Sequence, residues 1–420
     1  MNYKRAKVFL LLFIFCMVCF FTNDFELINI EKTAIIVAIG IDKAEEGVEI
    51  SAQIAIPQAT NQSTTNEDAI LSAKAKTIYG ALENISLQTG WYPKLTFCNV
   101  IIISKEVINQ DFMPIINYFL TTNRIQSSAV LSVCEQKAKE VLSSSTPLDY
   151  ISSFALQKIL LRNIDRTSSV LITNIQDFYS NMLSHSRFGY MPYIKSIQTD
   201  DKPKENSGSN PQSSNYENEN EQKEIVPLSS QSANSGGGQG QGGNTQNEKS
   251  TLYDASETLL FSNNKLACAF TSAQTNCYNL LTKPIKESFL SVEYEAEGKK
   301  KNTLVSIIEN FYKVKLNIEN GIPILKVELK IICEKEEETP SSYQEEDKWS
   351  ILSNDVLKAL ESKLNEDIAT LIELSKSSNC DFFMVKEKLY RFEPNHYYKL
   401  EKNILQLLDY QIKVECKNHH

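Results

Sequence analysis

Apolar residues fall along this chain in runs of different period. Val8–Phe21 (VFLLLFIFCMVCFF) is apolar on every face and follows Lys4, Arg5 and Lys7. Thr33–Asp42 (TAIIVAIGID) is a shorter apolar run that predicts a strand buried on both faces. From Val48 to Pro57 the apolar positions alternate (Val48, Ile50, Ala52, Ile54, Ile56), as in a half-buried strand, and Lys43–Gly47 makes the turn between the two. Residues 67–88 take helical spacing, with Ala69, Ala73, Ile78, Leu82 and Ile85 on one side. Leu95–Ile103 predicts a buried strand, Val107–Leu120 a helix and Ser128–Val133 a strand. Lys137–Leu142 and Leu148–Leu161 predict helices, and Tyr190–Ile197 a closing strand. Strands and helices mix without a strict βαβ rhythm, so residues 25–198 are expected to form an α+β domain.

Near Thr199 the pattern stops. Residues 199–250 are Ser, Asn, Gln, Gly, Glu and Lys with almost nothing to bury, which predicts a disordered linker. Gly236–Gly243 (GGGQGQGG) lacks the preceding strand, the following helix and the Gly-Lys-Ser/Thr of a phosphate loop. A small β subdomain is expected over 251–288, with strands Thr258–Phe261, Lys265–Phe270 and Cys277–Leu281. Cys268 and Cys277 flank its second turn, where an extracellular protein has room for a disulfide. Residues 289–420 predict a C-terminal α+β domain. Leu290–Ala296, Tyr312–Ile318 and Leu325–Ile331 alternate, and Asn320-Gly321 favours a tight hairpin turn. An acidic loop, Glu334–Asp347, precedes Ser353, Asn354 and Asp355, which cap a helix reaching about Lys376 with Val356, Leu360, Leu364, Ile368, Leu371 and Ile372 on one face. A helix around Phe382–Tyr390, the tract Tyr397–Leu408 and an alternating strand Tyr410–Cys416 follow. The expected architecture is an antiparallel sheet with helices on one face.

The leader changes where these domains are placed. Val8–Phe21 spans roughly 21 Å as a helix, short of the ~30 Å hydrocarbon core and typical of a signal-peptide apolar region. Phe20, Phe21 and Thr22 stand where a cleavage site needs small residues, and neither Cys16 nor Cys19 follows the small residues of a lipoprotein signal. Residues 1–24 are therefore expected to be an uncleaved anchor, with the positive end in the cytoplasm and the rest outside.

A chain of 420 residues suits two or three domains. Its net charge of -9 and pI near 5.3 argue against a general nucleic-acid binder. Nine cysteines without a CxxC read as small buried hydrophobes, not as a zinc pattern or a disulfide framework. His185, His396, His419 and His420 lie in no HExxH, HxH or GxSxG context. Glu334–Glu338 and Glu345–Asp347 are consecutive charges, the mark of a solvated loop. Asp42 ends a buried strand and reads as a turn residue before it reads as a catalytic one. Trp91, Tyr92 and Pro93 make either an exposed contact patch or packing where a strand begins. No catalytic, cofactor-binding or metal-binding residue is expected, and no cofactor.

The order of segments resembles the Ger(x)C family, the C subunits of spore germinant receptors. Glu26–Asp42 (ELINIEKTAIIVAIGID) looks like the start of the mature proteins, which carry AI-x-x-AIGID. Val48–Pro57 resembles the family's second strand, Asn99–Val107 (NVIIISKEV) its next strand and turn, and Ala138–Leu142 (AKEVL) its "AkeiL". Leu260–Phe270 (LFSNNKLACAF) resembles the family's "vFkddklvG" hairpin, and Asn379–Phe383 (NCDFF) its "sDifg" after the long helix. The chain departs from the pattern at Asp24, which replaces the lipid-bearing cysteine, at Cys268 and Cys277, which replace glycines, and at Tyr397 and Tyr398, near the family's tryptophans. The resemblance implies a non-enzymatic, extracytoplasmic receptor subunit at the spore inner membrane, with A-type and B-type membrane subunits as partners. A solute-binding protein would need two similar α/β lobes, and a cell-envelope hydrolase a pocket of converging carboxylates.

Overall fold

A computed structural model describes residues 3–21, 33–55, 70–122, 125–144, 146, 152–161, 168–198, 251–296, 298–338, 351–400 and 403–419. The leader forms helix α1 (Tyr3–Phe21), exposed from Val8 to Met17. No helix of the described residues is long and apolar enough to cross a membrane. Asp24 and residues 199–250 lie outside the described residues.

The first sheet begins with β1 (Thr33–Lys43), β2 (Val48–Ile54) and β3 (Ile70–Ala75). Then follow α2 (Ile78–Thr89), β4 (Tyr92–Lys94), β5 (Val100–Ser104), α3 (Lys105–Ile108), α4 (Met113–Thr121) and β6 (Val130–Cys134). Next come α5 (Ala138–Ser143), α6 (Ser152–Leu161), β7 (Thr173–Asn174), α7 (Ile175–Leu183) and β8 (Phe188–Gln198). Beyond residue 250 the chain rejoins this sheet as β9 (Thr251–Ser262) and β10 (Lys265–Phe270). The ten strands run β10-β9-β8-β6-β5-β1-β2-β3, with β4 beside β1 and β7 beside β6. β1, β5, β6 and β8 are parallel, and antiparallel hairpins finish both edges. Parallel centres need cover on both faces, which is why these strands read as continuous apolar runs. On one face Ile39, Ile101 and Leu131 pack with Leu82, Ile116 and Phe178. On the other, Ala38, Val100 and Ile102 meet Ala138, Leu142 and Leu156.

Residues 70–88 are a strand and a helix, because Thr77 accepts the Gly80 N–H at 3.1 Å and caps α2 just after β3. The helix expected over Val107–Leu120 divides into α3 and α4, with Pro114 in the first turn of α4. The strand expected from Leu95 starts at Val100, since Leu95 and Cys98 close a turn (N to O 2.9 Å).

The second sheet follows α8 (Ser272–Thr282) and takes β11 (Ser288–Ala296), β12 (Lys299–Glu319) and β13 (Ile322–Glu338). After α9 (Asn354–Ser377), α10 (Val385–Phe392) and α11 (Pro394–Leu400), β14 (Asp409–Asn418) completes it in the order β11-β12-β13-β14. Asn320 and Gly321 turn the long β12–β13 hairpin with φ of 53° and 80°, the left-handed pair that a type I′ turn requires. The sheet is mixed, not antiparallel as expected: β14 runs parallel to β13, because α9 to α11 form a crossover that returns the chain to the same end. Val305, Ile307, Val327 and Leu329 face α9 residues Val356, Leu360, Leu364 and Ile368. Glu334–Glu338 are not a loop but the end of β13; Glu345–Asp347 lie outside the described residues.

The stretch 251–288 is not a separate β unit. Its strands extend the first sheet, and Cys277–Leu281 belong to α8, which Thr271 and Gln274 start with a reciprocal capping box. Phe188, Leu260 and Phe270 turn towards the second core, while Met191, Leu259 and Phe261 fill the first. The β8–β10 edge therefore gives side chains to both cores, and the two sheets share a hydrophobic boundary.

Candidate functional site at the joint between the sheets

The AIGID run is a packing device. Asp42, 2% exposed, accepts the Ala138 N–H on Oδ1 at 2.7 Å and the Lys139 N–H on Oδ2 at 2.9 Å. It thereby caps α5 from outside, where the adjoining Lys137 supplies no side-chain cap. Gly40 lets that helix come close: a Cβ there would lie 3.0 Å from Ala138 Cβ and 3.1 Å from Leu142 Cδ1. Burial raises the Asp42 pKa, and the two N–H groups oppose the rise. Asp42 is thus neither a turn residue nor an acid placed in a cleft.

The NCDFF turn repeats this device at the joint. Asp381 is wholly buried and accepts the N–H groups of Val385 and Lys386, both at 2.8 Å, capping α10. Its third partner comes from the other sheet: Ser186, in the turn before β8, donates its hydroxyl to Oδ2 at 2.6 Å. The same hydroxyl oxygen accepts the Glu387 N–H at 3.1 Å. Glu387 in turn accepts the His185 N–H at 2.8 Å and Arg391 Nε–H at 2.6 Å, and its Oε2 lies 3.2 Å from His185 Nδ1. The His185 ring stacks on Tyr390 at 3.5 Å and meets Tyr397 edge-on at 5.4 Å. Desolvation raises the Asp381 pKa against the pull of its donors. At Glu387 desolvation is also the largest single effect, but the hydrogen bonds from His185 and Arg391 together outweigh it and lower the pKa. His185 is thus part of the joint.

The opposite side of α10 lines a groove of about 250 Å³ against β12. Its walls include Val314, Leu316, Ile318, Lys388, Leu389 and Phe392. Burial lowers the Lys388 pKa, while the charge of Asp381 opposes this. Phe392 is 77% exposed. Glu393 is the one carboxylate lining this groove, which lacks the converging pair a hydrolase would need. The two sheets differ in size and topology, so the chain does not consist of the two similar lobes of a solute-binding protein.

The other candidates lie apart from the joint. Trp91 and Tyr92 are half exposed, and Tyr92 pairs with Thr33 where β1 begins. His396 approaches Glu393 at 3.4 Å and His419 approaches Glu334 at 2.5 Å. His420 lies outside the described residues. Cys277 is buried on α8 and does not face Cys268 across a hairpin. Among the described residues no three His, Cys, Asp or Glu side chains gather as metal ligands. Ser186, Asp381 and Glu387 belong to no catalytic or metal-binding motif in the sequence. The available signal for Glu387 was its helical i, i+4 spacing to Arg391; Ser186 gave none.

Two family models match the chain. "Spore germination protein N-terminal domain" covers residues 27–196, and "Spore germination B3/ GerAC like, C-terminal" covers residues 256–419. The chain belongs to the Ger(x)C family of spore germination proteins. The crystal structure of the GerBC protein is similar at 14% identity and a TM-score of 0.48, over 91% of this chain and 97% of that one. No curated protein matches in sequence. Among the described residues of this Ger(x)C chain, a buried aspartate caps a helix in each family segment, Asp42 in the first and Asp381 in the second. The Ser186–Asp381 bond joins the two segments.

Proposed function

We propose that the chain is a non-enzymatic C subunit of a nutrient-germinant receptor, acting in receptor assembly or signal transmission on the outer face of the spore inner membrane. Family membership across both segments supports the receptor assignment. The observation that carries the mechanism is the two-sided role of α10. One side is bonded to the Ser184–Arg187 turn of the first sheet, and the other lines an open groove. A partner segment seated in the groove would press on α10 and so on the joint. The partners in this reading are A-type and B-type membrane subunits. Helix α1 holds the chain at the bilayer. Trp91 and Tyr92 lie beside the start of β1, and such amphipathic rings suit the membrane–water boundary.

The test is germination of spores that carry no other receptor of this type. Deleting the chain should abolish the response to nutrients and leave a nutrient-independent trigger effective. Unchanged nutrient germination contradicts the proposal.

A further inference from the structure

Cys268 of β10 lies within hydrogen-bonding reach of the Cys380 thiol and of Ser378. The surrounding contacts bring the two segments together independently of that bond. Cys268 stands opposite Leu260 in β9, and Cys380 Sγ lies 3.8 Å from the carbonyl of the next residue, Phe261. The segments that carry them are pinned together on both sides. Ser262 Oγ donates to Asn379 O at 3.2 Å, and the rings of Phe270 and Phe382 meet edge to face at 5.0 Å.

We propose that Cys268 and Cys380 form a reversible disulfide that fastens the edge hairpin of the first sheet to the turn between α9 and α10. The reaction is a two-step exchange with a small-molecule disulfide. The Cys268 thiolate attacks one sulfur, forms a mixed disulfide and releases one thiolate. Cys380 loses its proton to solvent and attacks Cys268 Sγ, displacing the second thiolate. Two protein thiols are oxidised by two electrons, and the small disulfide is reduced to two thiols.

The local chemistry suits these roles. Donation from Cys380 and Ser378 lowers the Cys268 pKa to about 7, whereas hydrogen bonding to Cys268 and burial raise that of Cys380. Cys268 is partly exposed and Cys380 buried, which makes the first the attacking group and the second the resolving one. Burial pushes the Cys98 thiol up to about 12 and Cys333 up to about 11, and also raises Cys134, Cys277 and Cys416. The bond sits one residue from Asp381, so it would lock the joint that the receptor reading uses, although its formation does not depend on that reading.

The test takes the full purified chain through glutathione buffers of stepped redox ratio, followed by alkylation, digestion and mass spectrometry. The expected product is a Cys268–Cys380 linked peptide, with Cys98, Cys134 and Cys277 still alkylated after denaturation. In C380S, Cys268 should instead accumulate as the glutathione mixed disulfide. With reduced protein at pH 7, Cys268 should alkylate roughly tenfold faster than an ordinary thiol. Wild-type protein that remains unlinked in fully oxidising buffer, or that links Cys268 to Cys277, overturns the proposal.

Discussion

Removing the Asp381 carboxylate should release α10. In Asp381→Ala the N–H groups of Val385 and Lys386 lose their acceptor, and the Ser186 hydroxyl loses its partner across the joint. A buried donor left unsatisfied costs about 1–3 kcal/mol, so the two backbone donors together should cost about 2–6 kcal/mol. That loss falls on the local opening of α10, which native-state hydrogen exchange measures directly. Exchange of the α10 amides should speed up by a factor of about 30 to about 20,000, at roughly tenfold per 1.4 kcal/mol. Amides of α5, capped independently by Asp42, should keep their protection. Asp381→Asn retains one acceptor oxygen and should fall between wild type and alanine. Unchanged α10 protection in Asp381→Ala would refute the capping argument. Equal loosening of α5 and α10 would show that the effect is global and not a property of the joint. The pH dependence adds a second check. Asp381 has a raised folded pKa, so its contribution to stability is complete below its ordinary value of about 3.8 and is lost as pH rises through the folded value. The stability gap between wild type and Asp381→Asn should therefore widen on acidification.

The companion carboxylate should behave in the opposite way. Glu387 has a lowered folded pKa, so Glu387→Gln should cost about 1–3 kcal/mol near neutrality, and the gap should close as pH falls from about 4.5 through the folded value, read by urea unfolding. Asp42→Ala should speed exchange in α5 alone. Gly40→Val would force Ala138 and Leu142 away from β1 and should lower stability by about 1–3 kcal/mol in denaturant unfolding. Phe392→Glu changes an exposed ring, so stability should stay within about 0.5 kcal/mol while retention of receptor partners on affinity capture falls.

Strands with a clean alternation were legible, and so was α9, whose apolar stripe and Ser353 cap appear in the sequence as they do in the fold. The AIGID run was recognisable as a buried strand, but Asp42 was not recognisable as a cap, because its helix lies almost a hundred residues further along (|i−j| 96 and 97). Short apolar runs misled for a physical reason. Cys277, Leu280 and Leu281 are buried whether their backbone is strand or helix, and only the Thr271–Gln274 box decides between them. Parallel pairing of β13 with β14 leaves no period in the sequence, since period reports which face is buried and not strand direction. The joint was the least legible feature, because Ser186 and Asp381 meet over a separation of 195 residues.

The most direct test of the receptor assignment is affinity capture of the intact chain from spore inner membranes, with its partners identified by mass spectrometry. Recovery of an A-type and a B-type receptor subunit, reduced in the Phe392→Glu chain, is the predicted result. Efficient recovery of the chain with neither subunit would contradict it.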